Sequence, residues 1–188
     1  MWILSTTDGN VTLIPWIIVI SGSIIAALCD LRTRRIPNIL TFPLFLSGLV
    51  WSFVNGGLSG LGESFGTCVL LALPYIILFI FANGGAGDAK LMGAIGTWLG
   101  FKSGIIVLFC VAITGIILSI LKAMSKKQTK DVLTSVFVNV YSFMLSLAGN
   151  RLGFTTLIET NESERMEVPY GVAILSGVLI AGVIIWLS

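Results

Sequence analysis

The sequence predicts an all-α polytopic membrane protein, with about six transmembrane helices and an amphipathic or interfacial helix near 131–150. Three observations carry this. Charged residues make up 11% of the 188 positions, where a soluble domain carries about 25%. Hydrophobic residues make up 56%, and the mean hydropathy is +1.02. The apolar residues also gather into runs near the ~20 residues that a helix needs to cross a bilayer core. Too little polar surface remains to cover a soluble globule. The same figures exclude a disordered chain, a coiled coil and a basic nucleic-acid-binding face, so the lipid bilayer is an expected partner and nucleic acid is not. A single domain over 1–188 is expected.

Span one runs from about Val11 to Cys29. No basic region precedes it, so it reads as a retained helix, not a cleaved signal. The basic stretch Asp30-Leu31-Arg32-Thr33-Arg34-Arg35 follows. Span two covers about Ile39 to Val54, with Pro37 just ahead of it, where proline suits a helix start. Asn55 to Glu63 is a Gly/Ser-rich loop without a basic residue, and span three covers about Phe65 to Ala82. The cluster Asn83-Gly84-Gly85-Ala86-Gly87-Asp88 then breaks the helix. Leu91 to Phe101 and Ile105 to Leu121 are further apolar runs, separated by Gly100, Lys102 and Gly104. Lys122, Lys126, Lys127 and Lys130 form a basic loop. Val168 to Leu187 is the last span, with Pro169 in its first turn.

Between them, polar residues at 131, 135, 139, 142, 146 and 150 form one narrow helical stripe. A spanning helix and a helix lying in the interface both fit this pattern. Charge arbitrates. If the segment does not cross, all basic residues except Lys102 fall on one side, which the positive-inside rule makes cytoplasmic. The non-spanning reading is therefore favoured, with six spans and both termini outside. It leaves Leu91 to Phe101 short, at ~17 Å against a core of ~30 Å. Either the membrane is locally thin there, or the glycine cluster sits below the surface plane, which would recess Asp88 toward the apolar layer, where irregular backbone is tolerated only beside a protected or watered cavity.

Few reactive side chains remain. The absence of histidine removes Ser-His and Cys-His nucleophile pairs and His-ligated metal sites. Cys29, Cys68 and Cys110 are far apart inside apolar runs and read as core residues, with no CxxC pair. No metal or cofactor is expected. Of the nine acids, Asp8, Glu63, Asp131, Glu159, Glu162, Glu164 and Glu167 sit in polar loops or at segment ends. The four C-terminal glutamates form a local acidic patch, diluted by Arg165, whose plain reading is a solvated loop. Asp30 and Asp88 each border an apolar span on the cytoplasmic side, where an ionisable group is a functional candidate. The plainer reading makes each a helix-end charge paired with Arg32 or Lys90.

Two carboxylates that meet cannot both ionise easily, so one keeps a proton near neutral pH. The ionised one can take a proton from water while the other polarises a carbonyl. That is peptide-bond hydrolysis by an aspartyl dyad, needing no histidine, metal or cofactor. Gly84, Gly85 and Gly87 allow sharp turns and close backbone approach beside Asp88. The same glycines lack the third glycine of a dinucleotide fingerprint and the Gly-Lys-Ser/Thr of a phosphate loop. Gly93, Gly96 and Gly100 fall on nearly one helical face, as close helix packing requires.

These residues resemble a known family. Asp30-Leu31-Arg32-Thr33-Arg34-Arg35-Ile36-Pro37-Asn38 is similar to the first-aspartate motif of the type IV prepilin peptidases, in which an aspartate ends the first helix ahead of a basic stretch and Ile-Pro-Asn. Gly85-Ala86-Gly87-Asp88-Ala89-Lys90-Leu91 resembles the family's Gly-x-Gly-Asp motif with its trailing lysine. Val168-Pro169-Tyr170-Gly171-Val172-Ala173-Ile174 resembles the last-helix opening of the small members linked to tight-adherence (Flp-type) pili. The resemblance spans about residues 11 to 187. It implies an integral aspartic endopeptidase of the bacterial inner membrane that cuts leaders from prepilins or pseudopilins on the cytoplasmic side. Asp30 and Asp88 would be the catalytic pair, Gly85 and Gly87 would shape the loop, and Lys90 would support the site. Larger members carry a cytoplasmic insert with cysteine pairs and N-methylate the new terminus. Here Arg32 to Asn38 leads straight into span two, so methylation is not expected.

Other Gly-x-Gly-Asp proteases, such as archaeal preflagellin peptidases and presenilin-like enzymes, share only part of this pattern. Outside enzymes, a small transporter or a pilus-assembly scaffold is the alternative. A transporter places ionisable residues near the midplane and often shows an internal repeat. A scaffold tolerates neutral replacements at Asp30 and Asp88.

Overall fold

The computed structural model describes residues 13–82, 85–125 and 170–187. Their secondary structure is four helices: α1 (Leu13–Thr33), α2 (Asn38–Ala82), α3 (Ala86–Ser125) and α4 (Tyr170–Leu187). Each is long and apolar enough to cross a membrane, as a polytopic α-helical membrane protein requires. The expected helix near 131–150, most of the basic loop and the four C-terminal glutamates lie outside the described residues. The chain divides into two compact units, residues 1–116 with 169–188, and residues 117–168. Of the second unit, the described residues form the closing turns of α3.

α1 runs past Cys29, so Asp30 sits inside its last turns and not in the stretch that follows. Arg34 ends the helix in the left-handed region, at φ 53°, and its amide donates to the Asp30 carbonyl at 2.9 Å. That conformation costs a non-glycine residue on the order of 1–3 kcal/mol, and it turns the chain toward α2. Asn38 opens α2 directly after Pro37, whose carbonyl accepts the Leu40 and Thr41 amides at 3.1 and 3.4 Å.

α2 and α3 each join two helical limbs across a single non-helical glycine, where the sequence predicts a longer break between separate spans. Helix persists through most of the expected 55–63 loop, and the break falls on Gly57 alone (φ 60°, ψ −147°). In α3 it falls on Gly100 (φ 67°, ψ 176°). Both conformations are accessible essentially to glycine only. At each the helix folds back on itself. A methyl group at Gly60 would lie 2.6 Å from the Ser52 carbonyl oxygen, whereas eight residues of straight helix span ~12 Å. Likewise Gly96 and Gly104 both face Thr67, at 2.8 Å from its carbonyl oxygen and its Cγ2. One glycine per helix therefore replaces a loop.

The reversals are tied together at Thr97. Its carbonyl would normally accept the amide four residues on, which lies beyond the break at Gly100. Ser52 and Ser64, from the two limbs of α2, donate their hydroxyls to it instead, at 3.3 and 2.5 Å. The Trp98 indole N–H donates to the Leu44 carbonyl at 2.8 Å. In lipid each such group must be satisfied internally, so these bonds hold the outgoing limb of α3 between the two limbs of α2.

α4 lies antiparallel to α1. Its Gly171 meets Asp30 and Ala27, and its Gly182 meets Trp16. On its other side Gly177 packs onto the Val111 backbone, and the Thr114 hydroxyl donates to the Ala173 carbonyl at 3.0 Å. Glycine at these contacts permits the close approach typical of membrane helices. Val19, Leu71, Leu91, Met92, Ile95 and Ile174 are fully buried in the core. Ile39, Leu58 and Trp186 stay 84, 79 and 72% exposed, which water would penalise and lipid does not.

Candidate active site

The topology collects the predicted residues at one end of the first unit. α1 ends there, α2 and α3 start there, and α4 starts there, while Gly57 and Gly100 lie at the far ends of the outgoing limbs. Asp30 therefore arrives on the last turns of α1 and Asp88 on the first turn of α3.

Asp30 is buried, at 8% exposure, and has a definite partner. Its Oδ2 accepts the Gly171 amide at 2.8 Å. The first amides of a helix lack intrahelical partners, and the helix dipole favours negative charge there. Asp30 thus caps α4 from a distant point in the sequence.

Asp88 is half-buried. The sequence predicts that it sits in a glycine loop. The structure starts α3 at Ala86, so Gly87 and Asp88 belong to the first helical turn. The Asp88 amide donates to the Gly85 carbonyl at 3.2 Å. Each supporting glycine now has a specific role. A methyl group at Gly85 would stand 2.7 Å from Asp88 Oδ2, so only glycine leaves that carboxylate its place. One at Gly87 would stand 3.0 Å from Ile36 Cβ, so glycine admits the α1–α2 connection against α3. Lys90 donates from Nζ to Asn38 Oδ1 at 2.8 Å.

The helix ends that bear Asp30 and Asp88 meet where Ile36 packs against Gly87, and the Asp30 carboxyl acts electrostatically on that of Asp88. Two tyrosines that the sequence reading passed over join them. Tyr75, buried in the returning limb of α2, and Tyr170, the first residue of α4, each interact electrostatically with Asp88. The chain has only three tyrosines. A phenol placed inside an apolar run was the signal available for both.

A cavity of about 630 Å³ opens between the limbs of α2 and the outgoing limb of α3, with Ala86 and Ala89 from the start of α3 in its lining and neither aspartate among it. Phe42, Phe45, Ala72, Phe79 and Gly93 give it apolar walls, and Asn38 and Lys90 edge it. Gly93 and Gly96 pack against Cys68 of α2, whereas Gly100 serves the reversal. Among the described residues no group of three or more Cys, Asp or Glu side chains gathers as a metal site.

The sequence model of the type IV leader peptidase family matches residues 17–120, which include both aspartates. Curated relatives carry the name prepilin leader peptidase/N-methyltransferase. That of Aeromonas salmonicida (strain A449) is 32% identical over 114 residues, or 57% of this chain and 38% of the relative. That of Aeromonas hydrophila is 31% identical over the same coverage. That of Neisseria gonorrhoeae is 27% identical over 103 residues, 52% of this chain and 36% of the relative. The chain thus spans 36–38% of the length of these relatives. No solved structure matches it.

Proposed function

This chain belongs to the type IV leader peptidase family, and we propose that it is a membrane-embedded aspartic endopeptidase that removes leader peptides from type IV prepilins and pseudopilins. Flp-type pilins are the proposed substrate class, and the cytoplasmic face of the bacterial inner membrane the proposed location. The observation that carries the reading is the convergence of the helix ends that bear Asp30 and Asp88, where Ile36 of the α1–α2 connection packs against Gly87 of α3, within the segment that the family model matches.

The chemistry follows from such a pair. Two neighbouring carboxyls share one proton. The ionised member accepts a proton from water as the water oxygen attacks the peptide carbonyl, and the protonated member donates to the carbonyl oxygen. Return of a proton to the leaving nitrogen then breaks the C–N bond. The two titrate as a unit, so the roles belong to the pair. The apolar cavity at the start of α3 suits the apolar segment that follows a prepilin leader.

The reversals at Gly57 and Gly100 support six crossings, with α2 and α3 each passing out and back. The Lys/Arg distribution supports a cytoplasmic location for the aspartate end. Only the peptidase step is proposed. Arg34 to Pro37 joins α1 to α2 directly, with no inserted methyltransferase segment at that point.

The test co-expresses a prepilin with the wild type, Asp30→Asn or Asp88→Asn and follows its size on a gel. Both variants should accumulate in the membrane and leave the prepilin uncut. Full cleavage by either one refutes the dyad.

A further inference from the structure

The cavity between α2 and α3 turns away from the proposed dyad. Ala86, Ala89, Lys90, Gly93 and Ala94 line it from α3, at the i, i+3, i+4, i+7 and i+8 spacing of one helical face. Asp88 falls two residues into that series, and residues two apart do not share a face. The cavity follows the helices for ~12 Å, the rise from Ala86 to Ala94, close to the ~15 Å of one leaflet's hydrocarbon. Polarity runs along it in one direction. Asn38, Thr41 and Lys90 lie in the first turns of α2 and α3, while Phe45, Ala72 and Gly93 make the wall beyond them apolar. Among the described residues, Lys90 is the only charged one in the lining. Its ammonium has three donors, of which Asn38 takes one. Phe42 and Phe79, on the two limbs of α2, line the cavity and are also exposed. It is therefore a groove open sideways to lipid.

We propose that this groove binds one anionic phospholipid of the membrane, with its phosphate on Lys90 and an acyl chain between the limbs of α2 and α3. Charge complementarity selects the headgroup, since the lining offers a cation and no acid. Basic pockets between membrane helices recurrently hold anionic headgroups. Arg35, exposed three residues ahead of Asn38, adds positive charge at the same end. Size and shape select the chain. A volume of about 630 Å³ is that of a small-ligand site with a few polar groups at one edge. A prepilin's apolar segment would meet the same walls. As a helix ~10–12 Å across, however, it fills about 500 Å³ per turn, so the groove would admit roughly one turn of it. The lipid also links the start of α2 to the start of α3 without covering the Asp88 face. The inference holds whether or not the dyad cleaves, because it concerns another face of α3.

The test uses the full chain, purified in detergent and stripped of lipid. Dioleoyl phosphatidylglycerol, dioleoyl phosphatidylcholine and glycerol 3-phosphate are titrated in turn. Native mass spectrometry counts bound lipid. Maleimide modification of Cys68, half-buried in the lining, reports whether the groove is filled. Phosphatidylglycerol should bind about fivefold more tightly than phosphatidylcholine, the worth of one lysine at a lipid surface, and should slow modification of Cys68. Lys90→Gln should bring phosphatidylglycerol down to the phosphatidylcholine level. Ala72→Phe, which puts a ring into the groove, should weaken both lipids. Glycerol 3-phosphate should leave Cys68 as reactive as before. Equal affinity for the two lipids, or no effect of Lys90→Gln, overturns the proposal. Lipid binding that leaves Cys68 modification unchanged puts the lipid elsewhere and overturns it too. Protection of Cys68 by glycerol 3-phosphate makes this a phosphate site and not a lipid site. If Ala72→Phe binds lipid as the wild type does but raises KM for a purified prepilin, the groove belongs to the substrate's apolar segment and the lipid proposal falls. If Ala72→Phe does not fold, the headgroup comparison and Lys90→Gln decide, since neither alters the apolar wall.

Discussion

The Lys90 ammonium donates to the side-chain oxygen of Asn38 at 2.8 Å. Asn38 closes the motif that begins with Asp30, and Lys90 lies two residues beyond Asp88. The bond therefore couples the start of α2 to the start of α3 beside both aspartates. The sequence offered Lys90 as an ion-pair partner for Asp88; the structure turns it to a neutral amide on another helix.

That pairing predicts non-additivity. Asn38→Ala and Lys90→Met should each slow prepilin cleavage, and the double variant should be little worse than the slower single. Because the bond is exposed, a coupling of about 0.5–1 kcal/mol is expected from a cycle on cleavage rates. Fully additive losses would show that the two side chains act apart.

Asp30 is both a proposed catalytic acid and a cap on α4, and substitution separates these roles. Asparagine keeps an oxygen that can accept the Gly171 amide, so Asp30→Asn should retain the wild-type melting temperature and lose activity. Alanine removes the acceptor as well. Asp30→Ala should lose activity and also about 1 kcal/mol of stability, the usual worth of a cap. Equal stability of the two variants, measured by unfolding in detergent, would remove the capping role.

Much of this was readable from residues alone, for physical reasons. Lipid demands long apolar helices, so hydropathy located α1 and α4 within a few residues. Scarcity of charge left Asp30 and Asp88 as the acids without an easy solvated reading. The reversals were less legible. Gly56, Gly57 and Gly60 look alike in sequence, yet only Gly57 among them takes a positive φ, because tertiary packing selects the position that turns. The donor at Gly171 was invisible for a similar reason. A backbone amide has no sequence signature, and its partner lies 141 residues away.

The carbonyl of Thr97 offers a measure of how the reversals are held. Ser64 donates to it at 2.5 Å and Ser52 at 3.3 Å. Ser64→Ala should therefore destabilise more than Ser52→Ala. Each loss should stay within the ~0.6–1.7 kcal/mol that membrane hydrogen bonds contribute. The double variant should cost more than their sum, since it leaves a buried carbonyl with no donor. Unfolding in mixed micelles reads all three.

The two adjacent glycines of the α2 reversal should respond to alanine with opposite signs. A methyl group at Gly56 or at Gly57 meets nothing within 4 Å, so packing decides neither case. Gly57 has φ 60° and ψ −147°, which alanine reaches only under strain, so Gly57→Ala should cost about 1–3 kcal/mol. Gly56 lies in helical backbone, where alanine gains about 0.5–1 kcal/mol over glycine. Gly56→Ala should therefore raise the unfolding midpoint while Gly57→Ala lowers it. A rise in both would mean that α2 does not reverse at Gly57, and the return limb that brings Ser64 and Tyr75 to α3 would need another origin.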